Sequence, residues 1–378
     1  MNLYPRLSLF YVGYFTMIGM HLPFWPVWLE SQGLTAGEIG LVMSSSILVK
    51  VLTGPWIAGI ADHSGERRKL MRILALLSVG IYLAFLWGGG FWHLLIISTL
   101  FMITWSALMP LCENLTLLTI HDNDIQYGRI RLWGSLAFIA AAVISGQVLE
   151  NRDPSLIYWL IFGAVVLGLL TTLPLPDTRT PKPETGHAPM RTLLQNGPFM
   201  LLCGGAALIQ GSHGVYYAFG TLHWQSVGHG ESLIGALWAE GVIAEIILFF
   251  FGARLLSRFG AVPLMILGGL AATIRWTVTG LTDDLTLLVV VQAFHAFTYG
   301  ATHLGAMTYL AKHIPAAQSA TAQSLYAASV MGLGIGVAIF AAGYLYTALA
   351  GQAYLAMAGA GAAGMVCILV LWRKDADR

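Results

Sequence analysis

The sequence is poor in charge. Of its 378 residues only 10% are Asp, Glu, Lys or Arg, against roughly 25% in an ordinary soluble domain. So few charges cannot clothe a water-facing surface of this size, which excludes a soluble enzyme. The net charge is +1 and the cations are scattered, so the chain has no electrostatic footprint for nucleic acid. Cysteine is equally sparse. Cys112, Cys203 and Cys367 sit singly in apolar runs, without a C-x-x-C or a metal-ligand spacing, and read as small buried hydrophobes. No Walker A pattern occurs, so the chain has no ATP motor of its own. The run Gly332-x-Gly334-x-Gly336 lacks the preceding strand of a dinucleotide site and reads as close helix packing. Neither a metal nor a cofactor is expected. Apolar residues, in contrast, make up 57% of the chain, with 43 Gly and 12 Trp. That is the composition of a polytopic membrane protein.

A helix that crosses hydrocarbon needs about 20 mostly apolar residues. Such runs lie near 7–29, 37–61, 70–88, 92–119, 130–149 and 155–173, then near 199–224, 232–253, 261–281, 285–311, 320–348 and 353–372. The expectation is an all-α membrane protein with twelve transmembrane helices in two six-helix bundles. Only Arg6 precedes the first run, and no small-residue cleavage pattern follows it, so it reads as a retained helix rather than a signal peptide. Pro174–Pro198 is the one long polar stretch and suits a linker. The expected organisation is therefore an N-terminal bundle at 1–174, a cytoplasmic linker at 175–197 and a C-terminal bundle at 198–378.

Lys and Arg decide the orientation. With a cytoplasmic N-terminus, 16 of the 19 fall on the cytoplasmic side, including Arg179, Lys182 and Arg378. Only Arg152 faces the other way, and Lys50 and Arg275 remain inside spans. Both termini are expected in the cytoplasm. A shift of 195 residues superposes Gly19 on Gly214, Phe24 on Phe219, Ser31 on Ser226, Gly33 on Gly228, Ile39 on Ile234, Gly40 on Gly235 and Gly65 on Gly260. With six spans per half, this argues for parallel repeats about an axis along the membrane normal.

Between the second and third spans the chain reads Gly59-Ile-Ala-Asp62-His-Ser-Gly65-Glu-Arg67-Arg68-Lys69. This resembles the major facilitator loop signature G-x-x-D-x-x-G-x-R-R/K-K at every fixed position. Asp62 sits where a carboxylate meets a helix N-terminus or a loop cation. The resemblance implies a gating role for Gly59, Asp62, Gly65, Arg67 and Arg68. A second stretch, Tyr127-Gly-Arg129-Ile-Arg131-Leu-Trp133-Gly-Ser135, follows Pro110-Leu-Cys-Glu113. Both are similar to segments of the lactose permease and nucleoside–proton symporter families, where the Glu and Arg positions contact sugar in the lactose permease pattern. The chain as a whole resembles most the 3-phenylpropionate–proton symporter group, through Leu22–Leu29, Gln210–Tyr217, Leu237–Glu245, Arg275-Trp276 and Gln292–His295. One departure stands out: where the lactose permease pattern places a proton-carrying carboxylate, three residues after His295, this chain has Thr298.

An ionisable group in hydrocarbon costs about 2.5–3.5 kcal/mol on insertion scales, so each one needs a reason. Lys50, Glu113, Glu240, Glu245 and Arg275 lie inside spans, and Arg131 at the inner end of the fifth. Helical rise places Glu240 ~12 Å and His295 ~15 Å from the outer face. Glu240 and Glu245, five apart, differ by about 140° around a helix and do not share a face. Lys50 and Glu245 are equivalent under the 195-residue shift. We read Lys50, Glu113 and Arg131 as substrate-facing, with Phe24, Tyr216 and Tyr217 as stacking surfaces. Glu245, Arg275 and His295 form the proton-coupling set, with Glu240 as second choice after Glu245. Structural ion pairs between helices are the alternative for these charges. His21, His213 and His303 read as packing residues, and Trp28 and Trp224 as interfacial anchors.

The reading is a proton-coupled importer of a small organic anion, with an aromatic carboxylate such as 3-phenylpropionate as best guess. It would work by alternating access as a monomer in the lipid of a bacterial inner membrane. The alternatives are proton symport of a neutral sugar or nucleoside, and proton-coupled export of hydrophobic compounds. An intramembrane enzyme is disfavoured because the spans hold no paired nucleophile and base.

Overall fold

The structure, a computed structural model, describes residues 2–120, 123, 125–178 and 190–376. Among these no strand occurs. The helices are α1 Leu3–Ser31, α2 Ala36–Ser64, α3 Arg67–Trp87, α4 Phe91–Ile120, α5 Tyr127–Leu149 and α6 Ser155–Thr172. α7 is interrupted, running Gly197–Gly211 and then Gly214–Ser226. α8 Glu231–Phe250, α9 Ala261–Leu281 and α10 Leu285–His313 follow. α11 begins as Ala316–Tyr326, passes a π-helical stretch at Ala327–Gly334 and ends as Ile335–Leu349. A tight turn at Ala350–Gln352 leads into α12, Ala353–Ala376. The described helices thus fall on the twelve expected runs, in two sets of six. Their flanks carry large exposed apolar side chains such as Leu52, Trp56, Trp87, Trp92 and Phe250, the surface that hydrocarbon covers.

Local chemistry sets the ends of the helices. At α2 the Thr35 hydroxyl accepts from Glu38 N at 3.4 Å, while the Glu38 carboxylate accepts from Thr35 N at 2.8 Å. This capping box satisfies two otherwise orphaned donors. α2 ends at Gly65 with φ +67°, a left-handed conformation open to glycine at little cost. The repeat explains itself here. Gly33 and Gly228 have φ +85° and +91°, and Gly65 and Gly260 have φ +67° and +83°. Two of the glycine pairs matched by the 195-residue shift therefore mark positive-φ positions in each half, although Gly65 is left-handed helical (ψ −1°) and Gly260 extended (ψ 172°). A third pair marks close packing: a Cβ on Gly19 would lie 2.6 Å from Phe138 O, and one on Gly214 2.8 Å from the Ala338 carbonyl carbon.

The chain divides into two compact units. One holds Met1–Glu184 together with Trp224–Ala239, the other Thr185–His223 and Glu240–Arg378. The first part of α8 therefore packs within the first unit, although the sequence placed all of 198–378 together. Small residues permit this. A Cβ on Gly235 would stand 2.3 Å from Ala142 O, and the Glu150 carboxylate accepts from Ser232 N at 2.6 Å. Of the linker, residues 179–189 lie outside the described residues, as do Arg179, Lys182 and Arg378. Met190–Leu194 forms a short helix whose Leu193 is buried.

Trp28 and Trp224 are not interfacial anchors, contrary to expectation. They are 5% and 2% exposed. Trp28 stacks on Trp25 with ring centroids 4.5 Å apart, inside an aromatic core with Phe85 and Tyr158. Burial of the whole indole outweighs the gain from an interfacial N–H. Gly334 does serve helix packing, as expected: a Cβ there would meet Ala207 of α7 at 3.1 Å.

Helix contacts this close tolerate no added bulk. A Cβ on Gly269 would meet the Met365 backbone of α12 at 3.0–3.2 Å, whereas Gly163 faces open space. Gly269→Leu is expected to cost about 1–3 kcal/mol and to lower the Tm of purified protein, measured by tryptophan fluorescence. Gly163→Leu is expected to leave it unchanged.

Candidate functional site

α9 is apolar but for one cation. Arg275 is 0% exposed, and a guanidinium in a protein cannot shed its charge. Its donors go to neutral groups. Nη2 donates to Gln292 Oε1 at 2.8 Å. Nη1 lies 3.2 Å from both His295 Nδ1 and Thr298 Oγ1. The guanidinium also lies over the rings of Trp276 and Tyr216, at 4.3 and 4.9 Å from their centroids, where the ring quadrupole favours a cation. Its Nε is buried without a hydrogen-bond partner, and no carboxylate of the described residues pairs with it.

This wiring fixes the neighbouring imidazole. An arginine N–H can only donate, so His295 accepts at Nδ1 and, as a neutral ring, carries its proton on Nε2. That nitrogen faces Glu245 Oε2 at 3.7 Å. Of the carboxylates on α8, Glu245 is the one within ion-pairing distance of His295. Glu240 is half-buried one residue before Gly241, which abuts the His295 ring, but forms no hydrogen bond or ion pair among the described residues. The 140° offset sends the two acids to different members of the cluster, Glu245 to His295 and Glu240 to where it feels the charge of Arg275.

α10 departs from regular α winding where it carries these groups. Its segment Ala296–Ala301 is π-helical, a wider winding that often accompanies functional sites. The break in α7 contributes as well. Between Gly211 and Gly214, Ser212 Oγ accepts from Trp276 Nε1 at 2.8 Å, and His213 is 0% exposed. Tyr216 accepts from Gln292 Nε2 at 2.7 Å, and Tyr217 stacks on His213 at 5.4 Å. Within their unit Tyr216 and Tyr217 therefore lie around Arg275, beside the residues assigned to proton coupling. Gln292, Ser212 and Trp276 stand only within the stretches that carry the resemblance, without an assigned role, and Tyr299, stacked on His295 at 5.4 Å, lies outside them. The string Gly211-Ser-His-Gly214 was the available signal, since it reads as a helix interruption.

The first unit carries a smaller polar set. Glu113 on α4 accepts from the Tyr127 hydroxyl at 3.2 Å. Arg131 on α5 lies over the Phe15 ring at 4.2 Å and the Tyr11 ring at 5.9 Å. The two charges are neighbours but form no ion pair with each other. Lys50 on α2 is partly exposed and has no hydrogen-bond or ion-pair partner among the described residues. Phe24 is 1% exposed, packed inside its unit rather than presented to a ligand. His21 stacks on Trp25 at 5.2 Å, as a packing residue does.

At the loop signature, Asp62 pairs with Arg67 at 2.5 Å, so the carboxylate meets both a cation and the first residue of α3. Arg68 pairs with Asp177 at 3.1 Å. Arg72 donates to Thr172 O and Leu173 O, and Arg6 Nε to Pro174 O at 2.5 Å. These cations collect at the C-terminal end of α6, where helix carbonyls are unsatisfied and cations are favoured. Gly65 supplies the left-handed turn, while Gly59 faces open space.

Helices of crossing length, with ionised side chains gathered inside them, define a multi-pass membrane carrier. The chain belongs to the MFS_1 like family, which it matches over residues 4–356. It is 31% identical over 357 residues to the probable 3-phenylpropionic acid transporter of Escherichia coli (strain K12), covering 93% of each chain. It is 27% identical over 375 residues to the maltose permease of Geobacillus stearothermophilus, covering 97% of this chain and 94% of the permease. The crystal structure of the nucleoside transporter NupG shares the fold, with a TM-score of 0.86 at 15% identity over 98% of this chain and 99% of that one. The protein is a major facilitator transporter, not an enzyme.

The neutral surroundings of Arg275 generate a test. Gln292→Glu keeps the shape and gives the guanidinium an anionic partner, and Tyr216 then donates to the second carboxylate oxygen. Hydrogen bonds to charged groups contribute about 1.5–3 kcal/mol, so Gln292→Glu is expected to raise Tm by several degrees. A lowered Tm would mean that Arg275 is already balanced by another charge.

Proposed function

We propose that this transporter imports a small organic anion together with protons, by alternating access. An aromatic carboxylate such as 3-phenylpropionate is the favoured substrate. The contact between Glu245 and the proton-bearing Nε2 of His295, beside a buried Arg275 without a carboxylate partner, carries this reading. A carboxylate that accepts a proton in one state and turns toward Arg275 in another links protonation to conformation. Glu245 is thus the proton carrier in preference to Glu240, with Arg275 and His295 as its partners. Tyr216 and Tyr217 offer aromatic surface beside this set. Lys50 and Arg131 supply positive charge for the substrate, and the guanidinium fork suits a carboxylate. The similarity to a probable 3-phenylpropionic acid transporter supports the aromatic acid. Gly59, Asp62, Gly65, Arg67 and Arg68 serve as the gating loop. We place the chain as a monomer in a bacterial inner membrane, both termini cytoplasmic.

A second reading, symport of a neutral sugar or nucleoside, draws on the Glu113–Tyr127 hydrogen bond and on Arg131 stacked over Phe15. These groups can bond hydroxyls without a charge on the ligand. Lys50 separates the two readings. Lys50→Gln is expected to weaken uptake of 3-phenylpropionate by about tenfold or more, the effect of losing one charge-assisted contact. Full uptake by Lys50→Gln would favour the neutral substrate.

Proton coupling is read from reconstituted protein. In proteoliposomes, dissipating the pH gradient is expected to abolish accumulation of 3-phenylpropionate. Glu245→Gln is expected to stop concentrative uptake while leaving exchange of bound for free substrate. Undiminished uphill transport without a gradient would remove the proton from the mechanism.

A further inference from the structure

The position where the lactose permease pattern has a carboxylate is occupied here by a hydroxyl that joins three helices. Thr298 Oγ1 on α10 lies 3.2 Å from Arg275 Nη1 on α9 and 3.0 Å from His213 Nε2 on α7. Its direction of bonding is determined. His213 Nδ1 lies 2.9 Å from Gln210 O, a carbonyl that only accepts, so Nδ1 carries the imidazole proton and Nε2 accepts. The Thr298 hydroxyl therefore accepts from Arg275 and donates to His213, the nearer of its two acceptors, with His295 O farther away at 3.4 Å. A hydroxyl has one donor and two acceptor sites, and here it uses the donor and one acceptor in opposite directions. All three residues are 0% exposed, which raises the cost of leaving any of these groups unpaired.

Thr298 also sits at two irregularities at once. It belongs to the π-helical stretch of α10, and through His213 it holds the interruption of α7. Arg275 Nη1 shares its two hydrogens between Thr298 and His295, and His295 in turn faces Glu245. Any change at Glu245 that moves Arg275 thus alters the acceptor load on Thr298. The hydroxyl passes that change to the α7 break. We propose that Thr298 is a positioning residue for coupled transport, tying the break in α7 to Arg275 through His213. Valine in its place keeps the shape but removes both bonds.

This inference rests on the proton-coupled reading, and two measurements separate them. The first needs no substrate: hydrogen exchange of the backbone amides at 210–217 in purified protein, followed by mass spectrometry. Thr298→Val is expected to speed exchange there by about fivefold or more through easier local opening, and Thr298→Ser to leave it as in the natural chain. Thr298→Ala serves as a second hydroxyl-free variant should valine perturb folding. The second measures 3-phenylpropionate in proteoliposomes. Accumulation under a pH gradient is expected to fall by about tenfold or more in the valine and alanine variants, the scale of one lost buried hydrogen bond. Counterflow without a gradient is expected to persist, and serine to restore coupling. Unchanged exchange overturns the inference. So does equal loss of accumulation and counterflow, or a serine variant that behaves like valine. A natural chain that does not respond to the gradient overturns the proton reading instead, while the exchange result still decides whether Thr298 holds the α7 break.

Discussion

A guanidinium buried without an anion partner is the constraint around which the second unit is arranged. Arg275 cannot neutralise itself, and moving an unpaired ion out of water costs several kcal/mol even after relaxation. The protein offsets this with directed neutral acceptors and ring faces. Gln292, His295 and Thr298 accept its protons, and Tyr216 and Trp276 cover the planar charge. Two of these acceptors are then fixed by a further bond, Gln292 by Tyr216 and Thr298 by His213. The two departures from regular helix, the interruption of α7 and the π-helical turn in α10, lie where these groups must converge. An ion pair would bind the arginine more tightly; neutral acceptors leave it able to respond to a carboxylate nearby. That suits a carrier, which must pass through more than one state.

The internal repeat conserves turns and packing rather than charge. Gly33 and Gly228, and Gly65 and Gly260, keep a positive φ, and Gly19 and Gly214 the same close approach of helices. Lys50 and Glu245 occupy equivalent positions with opposite charge and unequal fates. Lys50 has no bonding partner among the described residues, whereas Glu245 faces an imidazole at 3.7 Å. Duplicated backbone geometry thus carries two different polar sites. The first unit presents Glu113, Tyr127 and Arg131 near aromatic rings, and the second a denser network around Arg275.

The loop signature shows the same economy of charge. Asp62 and Arg67 pair across the turn made by Gly65, while Arg6, Arg68 and Arg72 meet the end of α6 and Asp177. Cations whose number argues for a cytoplasmic loop also complete the hydrogen bonding of a helix terminus. A topogenic role and a structural one are therefore compatible in the same residues.

Much of the architecture was legible in the order of residues. Long apolar runs separated by short polar turns can satisfy their backbone in a bilayer only as helices, so the number and places of the spans followed from hydropathy. The glycine matches at a fixed shift exposed the duplication, because left-handed turns and tight contacts accept little else. That Glu245 and Arg275 need neighbours was also readable, since an ion in an apolar run has few reasons to be there, and the fold sets the neutral His295 between them. Only the folded chain decided who meets whom. Tyr216 and Tyr217 joined Arg275, Phe24, Trp28 and Trp224 went inward, and Glu245 rather than Glu240 came to face His295. Hydropathy is a property of one segment, but a hydrogen bond needs two groups within about 3 Å in the right direction. Residues as far apart in sequence as His213 and Thr298 acquire that relation only when their helices pack.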